Sequence, residues 1–341
     1  MPVLVSTSAA RSISRTPSRQ PALRLVSTKG MAREAWLDVR RQGIGSSDAA
    51  AAVGLNPYQS QLELWMHKVG KGNLLPAVDP NDETSPMYWG ILLEPIVAAH
   101  YTKRTGNRVR RVNAVLGHPQ IPWMLANIDR EVIGASDVQI LECKTAGIHG
   151  ASLWKEGVPE YIQLQVMHQL AVTGKQAADV AVLICGQELQ VHRIERDETM
   201  IAQLIALEEQ FWEWVRSERE PPADASESTA TALRCLYRQD SGEDIDLSED
   251  ETASGAFAQL QQLRLHINGC EVTETLLKHR IQQCMGSASF ARFATGAVSW
   301  KRSKDRQVFN TALFQRKQPE LLKAYLETKP GSRRFVVHEG S

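Results

Sequence analysis

The stretch LECKTA, residues 141–146, sets Glu142 and Lys144 two residues apart at the end of the apolar run VQIL (138–141). On a strand, positions i and i+2 point to one face. An acid and a base therefore leave a buried strand side by side. As an exposed pair they contribute little; beside a divalent metal and a phosphate they could carry a reaction. The two residues alone leave both readings open.

Asp129 ends the preceding apolar segment, ANID (126–129). If 122–134 and 138–146 are antiparallel neighbours turning at Gly134-Ala135-Ser136-Asp137, Asp129 comes opposite the Glu142 region. Two carboxylates at the rim of a sheet suit Mg²⁺, which keeps its other positions for water and substrate phosphate. Such an ion lowers the pKa of a bound water and neutralises charge on a phosphoryl transition state. Lys144 could orient that water or offset the developing charge. The chemistry so described is phosphodiester hydrolysis.

The segments on either side have a readable order. REAWLDVRRQ (33–42) predicts a short helix, and GIGSSDAAAAVG (43–54) a tight loop running into an alanine helix. Arg40 and Ser47 flank that loop. A Gly-rich loop entering a helix can offer amides and hydroxyls to an anion; Ser46, Ser47 or Asp48 can equally be ordinary caps. A turn at 56–58, a helix over 62–68 and a loop over 71–86 lead to the helix MYWGILLEPIVAAHYTKRTG (87–106), which carries Glu94. Strands are expected over 107–118, 122–134 and 138–146, then a helix over 160–174 that carries Gln165. A buried strand over 179–186 pairs with 187–198, and Pro221-Pro222 stop a long helix over 199–220.

Composition narrows the class. Among 341 residues, 39 Lys and Arg balance 39 Asp and Glu, so any basic surface must be local; KRTGNRVRR (103–111) and WKRSKDR (300–306) are the two candidates. No apolar run approaches the roughly 18–20 residues of a membrane helix. Five cysteines, odd in number and without a CxxC pair, argue against a disulfide framework or zinc site and point to a reducing cytoplasm. Residues 1–30 hold five basic residues and no acid, the composition of a flexible basic arm; Pro17 and Pro21 interrupt any amphipathic helix there.

Five blocks in sequence order carry a resemblance: WLDVRRQGIGSSDAAAAVGLNPY (36–58), WGILLEP (89–95), ANIDREV (126–132), LECKTA (141–146) and YIQLQVMHQLAVTG (161–174). As a set they are specific. The chain resembles the lambda-exonuclease/YqaJ-type viral recombinase nucleases, phage-type alkaline exonucleases of the PD-(D/E)xK superfamily. The resemblance implies an α/β fold with a restriction-endonuclease-like core, a mixed sheet flanked by helices. The expected organisation is a basic arm (1–30), a nuclease domain (31–220), a linker (221–250) and a mostly helical C-terminal appendage with a β-hairpin (251–341).

The resemblance also implies roles. Asp129, Glu142 and the Cys143 carbonyl match metal ligands for Mg²⁺, with Mn²⁺ as a substitute. Lys144 matches the catalytic lysine. Glu94 matches an acid that approaches a second metal or the attacking water, and Gln165 a glutamine that supports the site. Arg40 and Ser47 match residues that bind a DNA 5′ phosphate. The implied activity is 5′-to-3′ digestion of duplex DNA ends, leaving 3′ single strands for recombination. A single-strand annealing partner and a homo-oligomer are implied with it, in the cytoplasm of a bacterial or phage-infected cell. A DNA endonuclease and a non-catalytic DNA-end-binding protein are the rival readings. One departure stands out: glycine is usual after the metal-binding Asp, and here the residue is Arg130, with Glu131 and Asp137 as acids that could be mistaken for ligands.

His118, His149, His168 and His192 lack ligand spacing and read as structural, and Trp212 and Trp214 as packing. Leu260, Leu263, Ile267, Cys270, Leu277, Ile281 and Cys284 recur at three- and four-residue steps. They predict a coiled coil or a helical hairpin kinked at Asn268-Gly269. A β-hairpin over 287–303, a helix over 310–327 and a last strand in RRFVVH (333–338) complete the expectation.

Overall fold

A computed structural model describes residues 21–329 and 331–338; most of the span expected to be a basic arm, 1–20, lies outside the described residues. The chain divides into a unit ending at Arg238 and a unit beginning at Gln239.

In the first unit the elements are β1 (Leu23–Ser27), α1 (Arg33–Arg41), β2 (Ile44–Gly45), α2 (Ala49–Ala52), α3 (Gln61–Lys68), α4 (Pro86–Thr105), β3 (Arg108–Arg111), β4 (Ala114–Gly117), β5 (Met124–Ala126) and β6 (Arg130–Ile133). After these come β7 (Ile140–Ala146), α5 (Glu160–Thr173), β8 (Ala177–Ile184), β9 (Glu188–Glu195), α6 (Glu198–Arg216) and α7 (Glu227–Leu236). Local chemistry sets the main boundaries. Ser85 caps α4 by accepting from the Met87 amide, Pro86 opens the helix, and Gly106 at φ +77° ends it.

Five strands form a mixed sheet in the order β3-β6-β7-β8-β9. β7 runs antiparallel to β6 and parallel to β8, with α5 as the crossover. Alternation along β7 divides its side chains between two buried layers. Leu141 belongs to one buried cluster with Val97 and Tyr101 of α4, and Ile140 to another with Val166 and Leu170 of α5. Both strand residues are fully buried, each stabilising the fold by roughly 1.5–3 kcal/mol.

The expectation of three continuous strands is corrected. Residues 107–118 split into β3 and β4, and 122–134 into β5 and β6; one half of each joins the five-stranded sheet and the other a second sheet, β1-β4-β5-β2. The breaks fall at Val112-Asn113 and Asn127-Ile128-Asp129, where the Asn127 amide donates to the Ala114 carbonyl at 3.2 Å and Ile128 is buried. The second break lifts Asp129 to the rim. Part of the expected arm, Leu23–Ser27, is β1, paired with β4. Part of the expected linker is α7, whose Ser228 hydroxyl donates to Glu63 Oε2 of α3 at 2.6 Å. The loop 43–45 also contributes β2, parallel to β5. A Cβ at position 43 would overlap the Trp123 carbonyl oxygen, so glycine there permits the close approach.

The second unit holds α8 (Glu251–Met285), a hairpin of β10 (Phe290–Phe293) and β11 (Gly296–Ser299), then α9 (Thr311–Lys317) and α10 (Pro319–Lys323). α8 is one continuous helix through Asn268-Gly269 rather than a helical hairpin. The expected helix over 310–327 is two short ones, divided at Gln318, because Pro319 starts a new helix and cannot continue the old one. RRFVVH forms no strand. No helix among the described residues is long and apolar enough to cross a membrane.

Candidate active site

The pairing of Arg130 with Leu141 and of Glu131 with Ile140, carried one step further, sets Asp129 opposite Glu142. Asp129 Oδ2 accepts the Cys143 amide at 2.8 Å, which ties the end of one strand to the middle of its neighbour. Lys144 Nζ lies 2.7 Å from Glu142 Oε1 and donates to Gln165 Oε1 at 2.9 Å. Gln165 in turn donates to Glu142 Oε1 at 2.6 Å. The acid and base of LECKTA are thus one hydrogen-bonded group facing α5.

Burial first, and then the Glu142 carboxylate, push the Asp129 carboxyl up to about 8, against the pull of the Cys143 amide and Lys144. Burial disfavours the Lys144 ammonium, but Glu142 and Asp129 outweigh it and raise its pKa. Two carboxylates crowded beside a single lysine leave room for further positive charge. Among the described residues no three His, Cys, Asp or Glu side chains form a metal-binding cluster. A pair of carboxylates, a backbone carbonyl and open positions nonetheless fit Mg²⁺, which keeps several waters.

Glu94, Asp129, Glu142, Cys143 and Lys144 line one hollow of about 300 Å³. Lys144 also borders a larger cleft of about 1030 Å³, edged by Tyr58, Trp89, Trp154 and Tyr161. Arg130 explains its own departure from the family pattern. Its buried guanidinium donates through Nη1 to Glu94 Oε1 at 2.5 Å and to the Asp129 carbonyl at 2.8 Å. Glu94 is therefore held by a cation of the protein itself. The neighbouring acids are engaged elsewhere, Glu131 with Arg110 and Lys175, and Asp137 with Arg193.

Arg40 and Ser47 are brought together, in a separate hollow of about 650 Å³. Arg40 donates to Ser47 Oγ at 2.8 Å, lies 4.8 Å over the Trp36 ring and pairs with Asp48. Lys68, which the sequence did not single out, donates to Asp48 Oδ2 at 2.7 Å and to the Arg40 carbonyl at 2.8 Å. Burial opposes the Asp48 charge, yet Arg40 and Lys68 outweigh it and hold the carboxyl well below its usual range. The two hollows share a link. Ser46 Oγ donates to the Asn127 carbonyl at 3.3 Å, and Gln169 donates to the same carbonyl at 3.2 Å.

Gln169 is the other residue missed. It is fully buried and donates to Glu142 Oε2 at 2.7 Å. Its place one helical turn after Gln165 was the available signal. His168 is structural, as its spacing suggested. It is fully buried, with Nδ1 2.7 Å from Glu208 Oε1 and Nε2 2.9 Å from the Leu125 carbonyl.

A mixed sheet that presents two carboxylates and a lysine at one rim defines a protein of the restriction-endonuclease-like class. Within that class the chain belongs to the YqaJ-like viral recombinase family. The family's domain model matches residues 35–176. Uncharacterized protein YqaJ of Bacillus subtilis (strain 168) is 33% identical over 282 residues, covering 81% of this chain and 86% of that protein. Among solved structures, the alkaline exonuclease LHK-Exo of Laribacter hongkongensis is 23% identical, covers 55% of this chain and 94% of its own, and superposes with a TM-score of 0.46. A phage-related exonuclease of Haemophilus somnus 129PT is 11% identical, covers 54% of this chain and 99% of its own, with a TM-score of 0.36.

Proposed function

We propose that this protein is a Mg²⁺-dependent deoxyribonuclease that digests duplex DNA from its ends, 5′ to 3′, and leaves 3′ single strands for recombination. One observation carries the reading: Asp129, Glu142 and Lys144 meet at one rim of the sheet, with Lys144 Nζ 2.7 Å from Glu142 Oε1. Membership of a viral recombinase family supports it.

Asp129, Glu142 and the Cys143 carbonyl would hold Mg²⁺, or Mn²⁺ in its place. When bound, the ion supplies Lewis-acid neutralisation of the phosphate and a lowered pKa for water. The protein's own residues do the rest. Gln165 and Gln169 fix both oxygens of Glu142, so the carboxylate is oriented before a ligand arrives. Lys144 is charged and aimed at the site, where it orients the attacking water or offsets charge on the phosphate. Glu94, steadied by Arg130, adds a carboxylate on the opposite side of the hollow. Arg40, locked by Trp36, Ser47 and Asp48, is placed to receive the 5′ phosphate of a strand end. A homo-oligomer that encircles DNA and a single-strand annealing partner belong to the same proposal, as does action in the cytoplasm.

A Mg²⁺-dependent digestion assay on linear and covalently closed duplex tests the reading. The expected result is digestion of the linear form only, abolished in Lys144→Ala. Cleavage of closed circles would establish an endonuclease, and full activity in Lys144→Ala would remove the catalytic assignment.

A further inference from the structure

Charge is unevenly spread along the chain: the first unit as a whole, residues 1–238, holds 25 Lys and Arg against 26 Asp and Glu, and residues 239–285 hold 3 against 9. Over residues 31–238 there are 20 Lys and Arg against 26 Asp and Glu, a formal charge of −6. Over residues 286–341 there are 11 against 4, a charge of +7. The neutral whole thus conceals a basic C-terminal segment, and polyanion binding follows local charge.

That segment also displays aromatic rings. In the β10–β11 hairpin Phe293 lies opposite Gly296, and Ala291 opposite Val298. Directly opposed residues share a face, and faces alternate along each strand. Phe293 and Val298 therefore belong to one face, which Trp300 continues; the Trp300 amide extends the ladder to the Ser289 carbonyl at 3.0 Å. Phe293 is 50% exposed and Trp300 47% exposed. On the opposite face the Arg292 guanidinium lies 5.7 Å over the Phe290 ring. Lys301, Arg302 and Lys304 follow directly. A protein face meant for a protein core would not keep large rings uncovered beside a run of cations.

We propose that the β10–β11 ribbon and the basic stretch after it bind single-stranded DNA, with Phe293 and Trp300 as stacking platforms and Lys301 and Lys304 on phosphates. Duplex DNA offers charge but hides its base faces, so exposed rings among cations select an unpaired strand. The proposal draws on the nuclease reading only in choosing DNA as the polymer. The ribbon would hold the strand that digestion exposes.

The test is fluorescence anisotropy of the full-length protein in excess chelator, with oligo(dT) of about 30 nucleotides and a duplex of equal length, a size that covers more than one ribbon-sized site. Phe293→Ala/Trp300→Ala is expected to weaken oligo(dT) binding about tenfold or more and to leave duplex binding unchanged. Lys301→Glu/Lys304→Glu is expected to weaken both and to flatten the salt dependence. Trp300→Phe should restore most of the affinity lost in Trp300→Ala, and an unchanged melting curve shows that the variants fold. Unchanged oligo(dT) affinity in the aromatic variant overturns the proposal, as does a parent protein that binds only duplex; both would leave the ribbon as a face for an acidic protein. Lys144→Ala keeps oligo(dT) binding whether or not it abolishes digestion, so the two readings fail separately.

Discussion

Gln169 donates to Glu142 Oε2 at 2.7 Å, one helical turn beyond Gln165, which holds Oε1 at 2.6 Å. Two amides from one helix thus leave this carboxylate no freedom to rotate. The partners of a metal ligand set its orientation, and losing one typically costs ~10–100-fold in metal affinity. Gln169→Leu is therefore expected to weaken Mn²⁺ binding by about that factor in isothermal titration. Equal affinity in parent and variant would make Gln169 a packing residue only.

Arg130 bonds Glu94 and the Asp129 carbonyl from the first position of β6. Replacing it by glycine, the usual family residue, leaves Glu94 without its cation. Loss of a charged hydrogen bond costs roughly 1.5–3 kcal/mol, so Arg130→Gly should melt several degrees lower and digest DNA more slowly. Glu94→Gln/Arg130→Gly should recover part of that stability, because no unpaired charge remains. A double variant no more stable than Arg130→Gly would show that the pair is not coupled.

The His168 ring meets only acceptors, Glu208 on one side and the Leu125 carbonyl on the other. Both nitrogens therefore donate, and the ring is charged. Burial opposes that charge, but Glu208 outweighs it and raises the His168 pKa above 6.5. A raised histidine pKa contributes stability that is complete below the unfolded value and lost as pH rises through the folded one. Thermal stability should fall with rising pH above about 6.5, and this decline should be absent in His168→Gln/Glu208→Gln. Removing His168 alone leaves a buried carboxylate and should cost ~3–5 kcal/mol, read from urea unfolding.

Arg40 is fixed beside Ser47 before any DNA is present. If it receives a terminal phosphate, Arg40→Ala should slow digestion of 5′-phosphorylated ends at least tenfold more than of 5′-hydroxyl ends. Parallel rates on both ends would show a purely structural arginine.

Much of the core was legible because its signals are local. VQIL before Glu142 predicts a buried strand, and β7 is that strand, although it begins at Ile140 and carries Glu142 buried within it rather than at its exit. Gly106 and Gly174 end α4 and α5 where the apolar period stops. Gln165 followed from its block. Less legible were features that depend on distant partners. The split of 122–134 between two sheets is set by Asn127 and Ile128 packing against β4 and the core, which no run of residues announces. Lys68 sits on a helix as an ordinary last-turn cation, and only the fold brings it to Asp48, twenty positions earlier. Arg130 read as a defect in a motif, and only the position of α4 turns it into a partner for Glu94. α7 is short, and its inward stripe of Thr229, Ala232 and Leu236 is too small to stand out within the polar stretch 221–250.

Every role proposed for these residues rests on a metal-dependent reaction that enters duplex DNA at a 5′ end. Linear duplex labelled at the 5′ end in one sample and the 3′ end in another, digested with and without Mg²⁺, tests it directly. The expected result is early release of the 5′ label as mononucleotide, retention of the 3′ label on a long strand, and no release in chelator. Release of the 3′ label first, or digestion that continues in chelator, would contradict it.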